Sequence, residues 1–153
     1  MRGNEREYPL SPDLLRVMGR AREAAHHMGE KYLSTEHILT GLTCDSLPCT
    51  VRFWRLLGLN GAQVQEVFQR PSYRSEENFP PDKMPFTPRA SQMLLLAWSE
   101  AQAMGATSLD IQHLTLGMLR EERGLAGRVL RDLGVTLETA RAVALSLTKE
   151  QQE

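Results

Sequence analysis

Cysteine is scarce: only Cys44 and Cys49 occur in 153 residues. With neither a second cysteine pair nor a suitably spaced histidine pair beside them, they lack the ligand count of a structural zinc site. They read as free thiols of a reducing compartment. Long apolar runs are missing as well. No segment approaches the roughly 18 uncharged apolar residues of a membrane span, and the charged opening Met1-Arg2-Gly3-Asn4-Glu5-Arg6-Glu7-Tyr8 lacks the apolar stretch of a signal peptide. A cytoplasmic protein without membrane attachment is the expectation. An excess of one charge is also lacking: 18 Lys+Arg oppose 19 Asp+Glu, a net charge of -1, so no basic field draws phosphate backbones and nucleic acid is not an expected partner.

Two further absences bear on fold and chemistry. No segment sustains period-two alternation with β-branched residues, so no strand is read. No Ser-His-Asp or Cys-His order stands in a recognisable context, and the carboxylates are scattered as solvated charges would be. Catalytic residues, a cofactor and a metal are therefore not expected, and the chain is read as a binder rather than an enzyme.

A repeat is what the sequence does contain. Shifted by 76 positions against itself without a gap, the chain aligns Leu10-Ser11-Pro12 with Phe86-Thr87-Pro88, Met28-Gly29 with Met104-Gly105, and Leu57-Gly58 with Leu133-Gly134. The same shift matches Ala21 with Ala97, Leu33 with Leu109, His37 with His113, Gly41 with Gly117, Arg52 with Arg128 and Arg55 with Arg131. One register held over a whole unit marks an internal duplication. The expected layout is a single domain over 1–153, with repeat one at about 10–70, a linker at 71–85 rich in loop chemistry, and repeat two at about 86–148.

Each unit opens on Ser-Pro or Thr-Pro, a capping hydroxyl followed by a proline at a position where no N–H is needed. Apolar positions at three- and four-residue spacing follow: Leu14, Met18, Ala21, Ala25 and Met28, then Ala90, Leu94, Ala97, Ala101 and Met104. Gly29 and Gly105 supply left-handed stops. Second helices start near Ser34 or Thr35 and near Asp110, third helices cover about 47–57 and 124–133, and fourth helices about 61–69 and 137–147. The fold class is all-α, with about eight helices in two pseudo-symmetric four-helix repeats. The methionines at helical spacing read as core filling.

Ser34-Thr35-Glu36-His37-Ile38-Leu39-Thr40-Gly41-Leu42, with its second copy Asp110-Ile111-Gln112-His113-Leu114-Thr115-Leu116-Gly117-Met118, resembles the signature of the repeated N-terminal domain of the Clp AAA+ protein unfoldases. The resemblance spans about Leu10 to Leu147 and implies a double Clp N-domain. A Gly-x-x-x-x-Gly-Lys-Ser/Thr phosphate loop is missing, and too little chain remains for an ATPase module. The Met1 start and the polar Thr148-Lys149-Glu150-Gln151-Gln152-Glu153 end favour an independent small protein over an excised domain.

The resemblance implies a protein- and peptide-binding module of the Clp protease system. It would act as a stand-alone adaptor, decoy or regulator toward the Clp unfoldase, its adaptors or its substrates. The alternative is the excised N-terminal substrate-recognition domain of a larger Clp ATPase. A small metal-dependent hydrolase built on His37, His113 or the cysteines is the disfavoured third reading, because a repeated histidine more often packs or caps internally. In Clp relatives that recognise arginine-phosphorylated proteins, the resemblance places a hydroxyl and a glutamate around the modified arginine, here Ser11 with Glu36 and Thr87 with Gln112. A helix N-terminus accepts phosphate oxygens and a carboxylate pairs with guanidinium. Gln112 has lost that charge. Glu36 is also what helix capping and the macrodipole favour without any ligand. Phe79, Met84 and Phe86 flank the linker as a candidate apolar edge for a partner, with Phe86 equally placed to staple the helix that follows.

Overall fold

The computed structural model describes residues 8–44, 48–59 and 85–152. Among them are seven helices: α1 Pro12–His27, α2 Thr35–Cys44, α3 Pro48–Leu56, α4 Pro88–Ala103, α5 Ile111–Arg120, α6 Leu125–Asp132 and α7 Leu137–Gln152. The helix expected at about 61–69 and nearly all of the linker lie outside the described residues. No named strand occurs among the described residues, and the chain is all-α.

The repeat is visible bond by bond. Ser11 Oγ accepts from the Leu14 N–H and Thr87 Oγ1 from the Ala90 N–H, both at 3.1 Å, with proline first in each helix. Both helices end alike: the Glu30 N–H reaches the Ala25 carbonyl at 2.9 Å and the Ala106 N–H reaches the Ala101 carbonyl at 2.9 Å. These six-to-one bonds need a left-handed residue between, supplied by Gly29 at φ 71° and Gly105 at φ 76°.

Side-chain size sets how closely paired helices approach. Gly41 of α2 lies against α1, where an added Cβ would stand 2.5 Å from the Val17 carbonyl oxygen. Gly117 of α5 lies the same way against α4, 2.6 Å from the Met93 oxygen and 2.7 Å from Ala97 Cβ. A methyl at either place would have to push two backbones apart. Helix α5 is the most enclosed element, buried at every residue from Ile111 to Leu119. Leu14, Ala21, Leu39, Leu94, Ala97 and Leu114 form part of one continuous core, and Met18, Met93 and Met118 are buried with them.

The two halves are strapped crosswise. Residues ahead of α1 pair with the α4–α5 loop, the Ser11 N–H donating to the Leu109 carbonyl at 2.9 Å and the Leu109 N–H to the Pro9 carbonyl at 2.7 Å. Residues ahead of α4 pair with the α1–α2 loop in the same pattern, through Thr87 N–H to Leu33 O at 2.9 Å and Leu33 N–H to Pro85 O at 2.8 Å. These are two isolated parallel bridges, Leu10 with Leu109 and Leu33 with Phe86. Their consequence is positional: the start of each repeat sits beside the second helix of the other.

One tie has no counterpart in repeat one. Glu100 of α4 is buried and takes Arg141 of α7 in a two-bond fork, 3.0 Å from Nε and 2.8 Å from Nη2, with Arg120 of α5 at 3.0 Å. The hydrogen bonds from Arg141 and the two positive charges outweigh burial and hold the Glu100 carboxyl below its ordinary range. A shift of 76 places Ala24, Cys44 and Gln65 at these positions, so the fork cannot form there.

Candidate ligand site at converging helix N-termini

Where the second strap brings the halves together, three helices start side by side. Thr87 and Pro88 open α4, Ser34 and Thr35 open α2, and Gly124 opens α6. Between them lies a cavity of about 500 Å³, lined by these residues with Glu36, Arg89, Arg123, Leu125 and Arg128. Free amides and the positive ends of three helix dipoles thus face one space.

The local chemistry follows from the caps. Gly124 offers α6 no side-chain cap, and Thr35 of the other repeat supplies one instead, its Oγ1 accepting from the Ala126 N–H at 3.5 Å. A Cβ on Gly124 would stand 3.1 Å from Thr35 Oγ1 and 2.7 Å from Glu121 Oε1, which is buried without a hydrogen-bond partner among the described residues. Arg89 is held across the mouth by donating from Nη1 to the Arg123 carbonyl at 2.7 Å. Arg123 and Arg128 are exposed and Glu36 is half-buried. Three guanidinium groups and the Glu36 carboxylate line the cavity, an excess of positive charge.

Sequence-predicted residues are therefore regrouped. The crosswise strap puts Glu36 with Thr87 in the cavity, not with Ser11 as sequence order suggested. Ser11 instead lies at the start of α5, donating from Oγ to Asp110 Oδ1 at 2.8 Å, where Gln112 is buried in the first turn. Phe86 is half-buried on the core under the Arg22 guanidinium, 5.7 Å from its ring centre, and Phe79 and Met84 lie outside the described residues. A further cavity, beside Leu119 and Leu137, has both of its arginines engaged: Arg120 donates to Glu100 Oε2 at 3.0 Å, and Arg131 donates to the Leu119 and Glu122 carbonyls at 3.1 and 3.0 Å.

His37 and His113 cap their own helices. The Ser34 N–H donates to His37 Nδ1 and the Asp110 N–H to His113 Nδ1, both at 3.0 Å. Nδ1 therefore carries no proton, and the Ser34 hydroxyl also points its hydrogen there, at 2.9 Å. Burial lowers both pKa values, that of His37 to about 4, while Asp110 and Glu100 offset part of the effect at His113. Among the described residues no cluster of three or more His, Cys, Asp or Glu side chains could hold a metal ion. No helix among them is long and apolar enough to cross a membrane.

Sequence reasoning missed Arg89, Arg123 and Arg128 as cavity residues. Comparing the repeats would have signalled Arg89, because its counterpart is Asp13, an inversion of charge at an otherwise matched helix start.

Fold and cavity together define a duplicated helical domain with a cavity built across its two halves. The chain belongs to the Clp repeat N-terminal domain family, whose model matches residues 1–48 and 85–153. It is 33% identical over 132 residues to the negative regulator of genetic competence ClpC/MecB of Bacillus subtilis, covering 86% of this chain but 16% of that protein. The N-terminal domain of the caseinolytic protease associated chaperone ClpD from Arabidopsis thaliana superposes with a TM-score of 0.68 at 23% identity, over 92% of this chain and 94% of that one. A ClpV N-domain solved in complex with a VipB peptide superposes with a TM-score of 0.69 at 20% identity, over 90% and 87%.

Proposed function

We propose that the chain is a protein- and peptide-binding module of the Clp proteolysis system that takes arginine-phosphorylated segments in the Glu36–Thr87 cavity. The observation that carries the reading is the union of Thr87, Glu36 and three arginines at converging helix starts. A phosphoryl group would take the helix amides, the Thr87 hydroxyl and the arginines, and the carboxylate of Glu36 would take the guanidinium nitrogens behind it. Binding rather than catalysis follows from this donor set, which offers no activated nucleophile and no base poised on one. The ClpV N-domain solved with a VipB peptide supports peptide binding as a use of this fold.

At the level of the pathway, the proposed role is that of an adaptor, decoy or regulator that shares ligands with the N-domain of a Clp unfoldase. Calorimetry with a phosphoarginine peptide and its unmodified twin tests the site. The phosphorylated form should bind at least tenfold tighter, and Glu36→Ala should remove most of the difference. Equal affinity for the two peptides would end the phosphoarginine reading. A pull-down from native lysate that recovers no Clp component, adaptor or degradation substrate would end the pathway reading.

A further inference from the structure

We propose that Asp110 and Asp13 close the repeat-related twin of this cavity to anions, Asp110 by seating its own carboxylate there, so that the chain takes a phosphorylated ligand at one site only. The proposal rests on the reading of the Glu36 cavity given above.

Among the described residues, two of the helix starts that frame the cavity have counterparts placed alike in the twin. Ser11 caps α1 as Thr87 caps α4, and the Ser11 N–H meets the Leu109 carbonyl as the Thr87 N–H meets that of Leu33, both at 2.9 Å. What differs is the side chain at the start of the second helix. In the Glu36 cavity that residue is Ser34, neutral, its hydroxyl turned to His37 Nδ1 at 2.9 Å. The Thr87 hydroxyl accepts from Ala90 and, among the described residues, its own hydrogen is not taken up.

Asp110 stands in Ser34's place in the twin. Its Oδ1 accepts from the Ser11 hydroxyl and from the Ile111 N–H, both at 2.8 Å. Those are the two donors, a capping hydroxyl and a free helix amide, that a phosphoryl oxygen would need. A tethered carboxylate at that spot competes at high effective concentration against any free anion.

The surrounding charge points the same way. Under the shift of 76, Arg89 becomes Asp13, Glu36 becomes Gln112 and Arg128 becomes Arg52. The twin thus exchanges three arginines for Arg52 and a mixed pair, Asp13 with Arg16 at 3.9 Å, beside the Asp110 carboxylate, and it loses the carboxylate that would face a guanidinium. A phosphoryl dianion meets like charge on one side of the molecule and opposite charge on the other.

The test is a titration of the 15N-labelled full chain with a phosphoarginine peptide, read at two sets of amides. Ser34, Glu36 and Arg89 report the Glu36 cavity; Ser11, Leu14 and Ile111 report the twin. The unaltered protein should shift the first set only and saturate at one equivalent. The triple variant Asp13→Arg, Asp110→Ser and Gln112→Glu restores the first-cavity residue types at these three positions, and serine is as good a helix cap as aspartate. It should shift both sets and gain at least tenfold affinity at the twin. Asp110→Asn with Gln112→Glu keeps the cap and removes the blocking charge, and it should produce a weaker version of the same gain if the triple variant does not fold.

Comparable shifts at both sets in the unaltered protein would overturn the inference. So would a folded variant whose first set saturates while the second stays silent, and in that case the functional reading survives alone. A variant that binds only at the twin would sink the functional reading and keep the inference. Silence at both sets in every protein would remove both.

Discussion

Acidification should destabilise the fold through His37. In the folded chain its Nδ1 accepts the Ser34 N–H at 3.0 Å and the ring is 4% exposed, and burial lowers its pKa from 6.5 to about 4. The unfolded chain takes up this proton from about pH 6.5 downward, whereas the folded chain does not until about pH 4. Between those values the unfolded state binds more protons, so stability rises with pH. The contribution is fully present above about pH 6.5 and is lost as pH falls toward about 4. At about 1.4 kcal/mol per pH unit it amounts to at most about 3 kcal/mol, and about 2 kcal/mol should already be gone at pH 5. Urea unfolding followed by circular dichroism at pH 7.5, 6.5, 5.5 and 4.5 measures this against His37→Gln. Glutamine at the third helical position is itself a capping-box residue and does not titrate. The variant should keep most of the stability at pH 4.5 that the unaltered protein loses, and the difference in slope should correspond to about one proton. Identical pH dependence in the two proteins would refute the assignment, since His113 and every carboxylate are common to both.

Two stability predictions follow from packing and from the buried fork. Gly117→Ala, and in the same way Gly41→Ala, should cost about 1–3 kcal/mol despite the better helix propensity of alanine, because the new methyl meets the facing helix's backbone; a thermal midpoint equal to that of the unaltered protein would show that the helix pair can separate freely. Glu100→Ala should cost about 1–2 kcal/mol, because Arg120 and Arg141, at 31% and 42% side-chain exposure, can turn to water once the carboxylate is gone. The same measurement on Ala24→Ser, the repeat-one counterpart, should show a change within about 0.5 kcal/mol.

Local chemistry made most of the helices legible and left their partners obscure. Ser-Pro and Thr-Pro starts, glycine stops and the three-and-four apolar spacing act within a turn or two of chain, so α1 and α4 could be read with both ends and α2 and α5 from their starts. Gly41 and Gly117 were visible as matched positions, but the close approach that requires them appears only when α1 meets α2 and α4 meets α5. The site followed the same division. Thr87 and Glu36 were both nameable from the repeat, yet sequence order paired each with a residue of its own repeat. The strap joining Leu33 to Phe86 joins segments on opposite sides of the linker, and no periodicity encodes that exchange. Once the exchange is made, the repeat becomes informative again. The Glu36 cavity draws one helix start from repeat one and two from repeat two, so a charge change in one repeat alters the surroundings of the other: Arg89 in repeat two serves the cavity of Glu36 in repeat one, and Asp110 in repeat two meets Ser11 in repeat one. Duplication followed by crosswise assembly therefore lets the two repeats' helix starts diverge through single substitutions that leave the caps and straps of either repeat untouched, which is why, among the described residues, the asymmetry at these helix starts lies in side-chain charge.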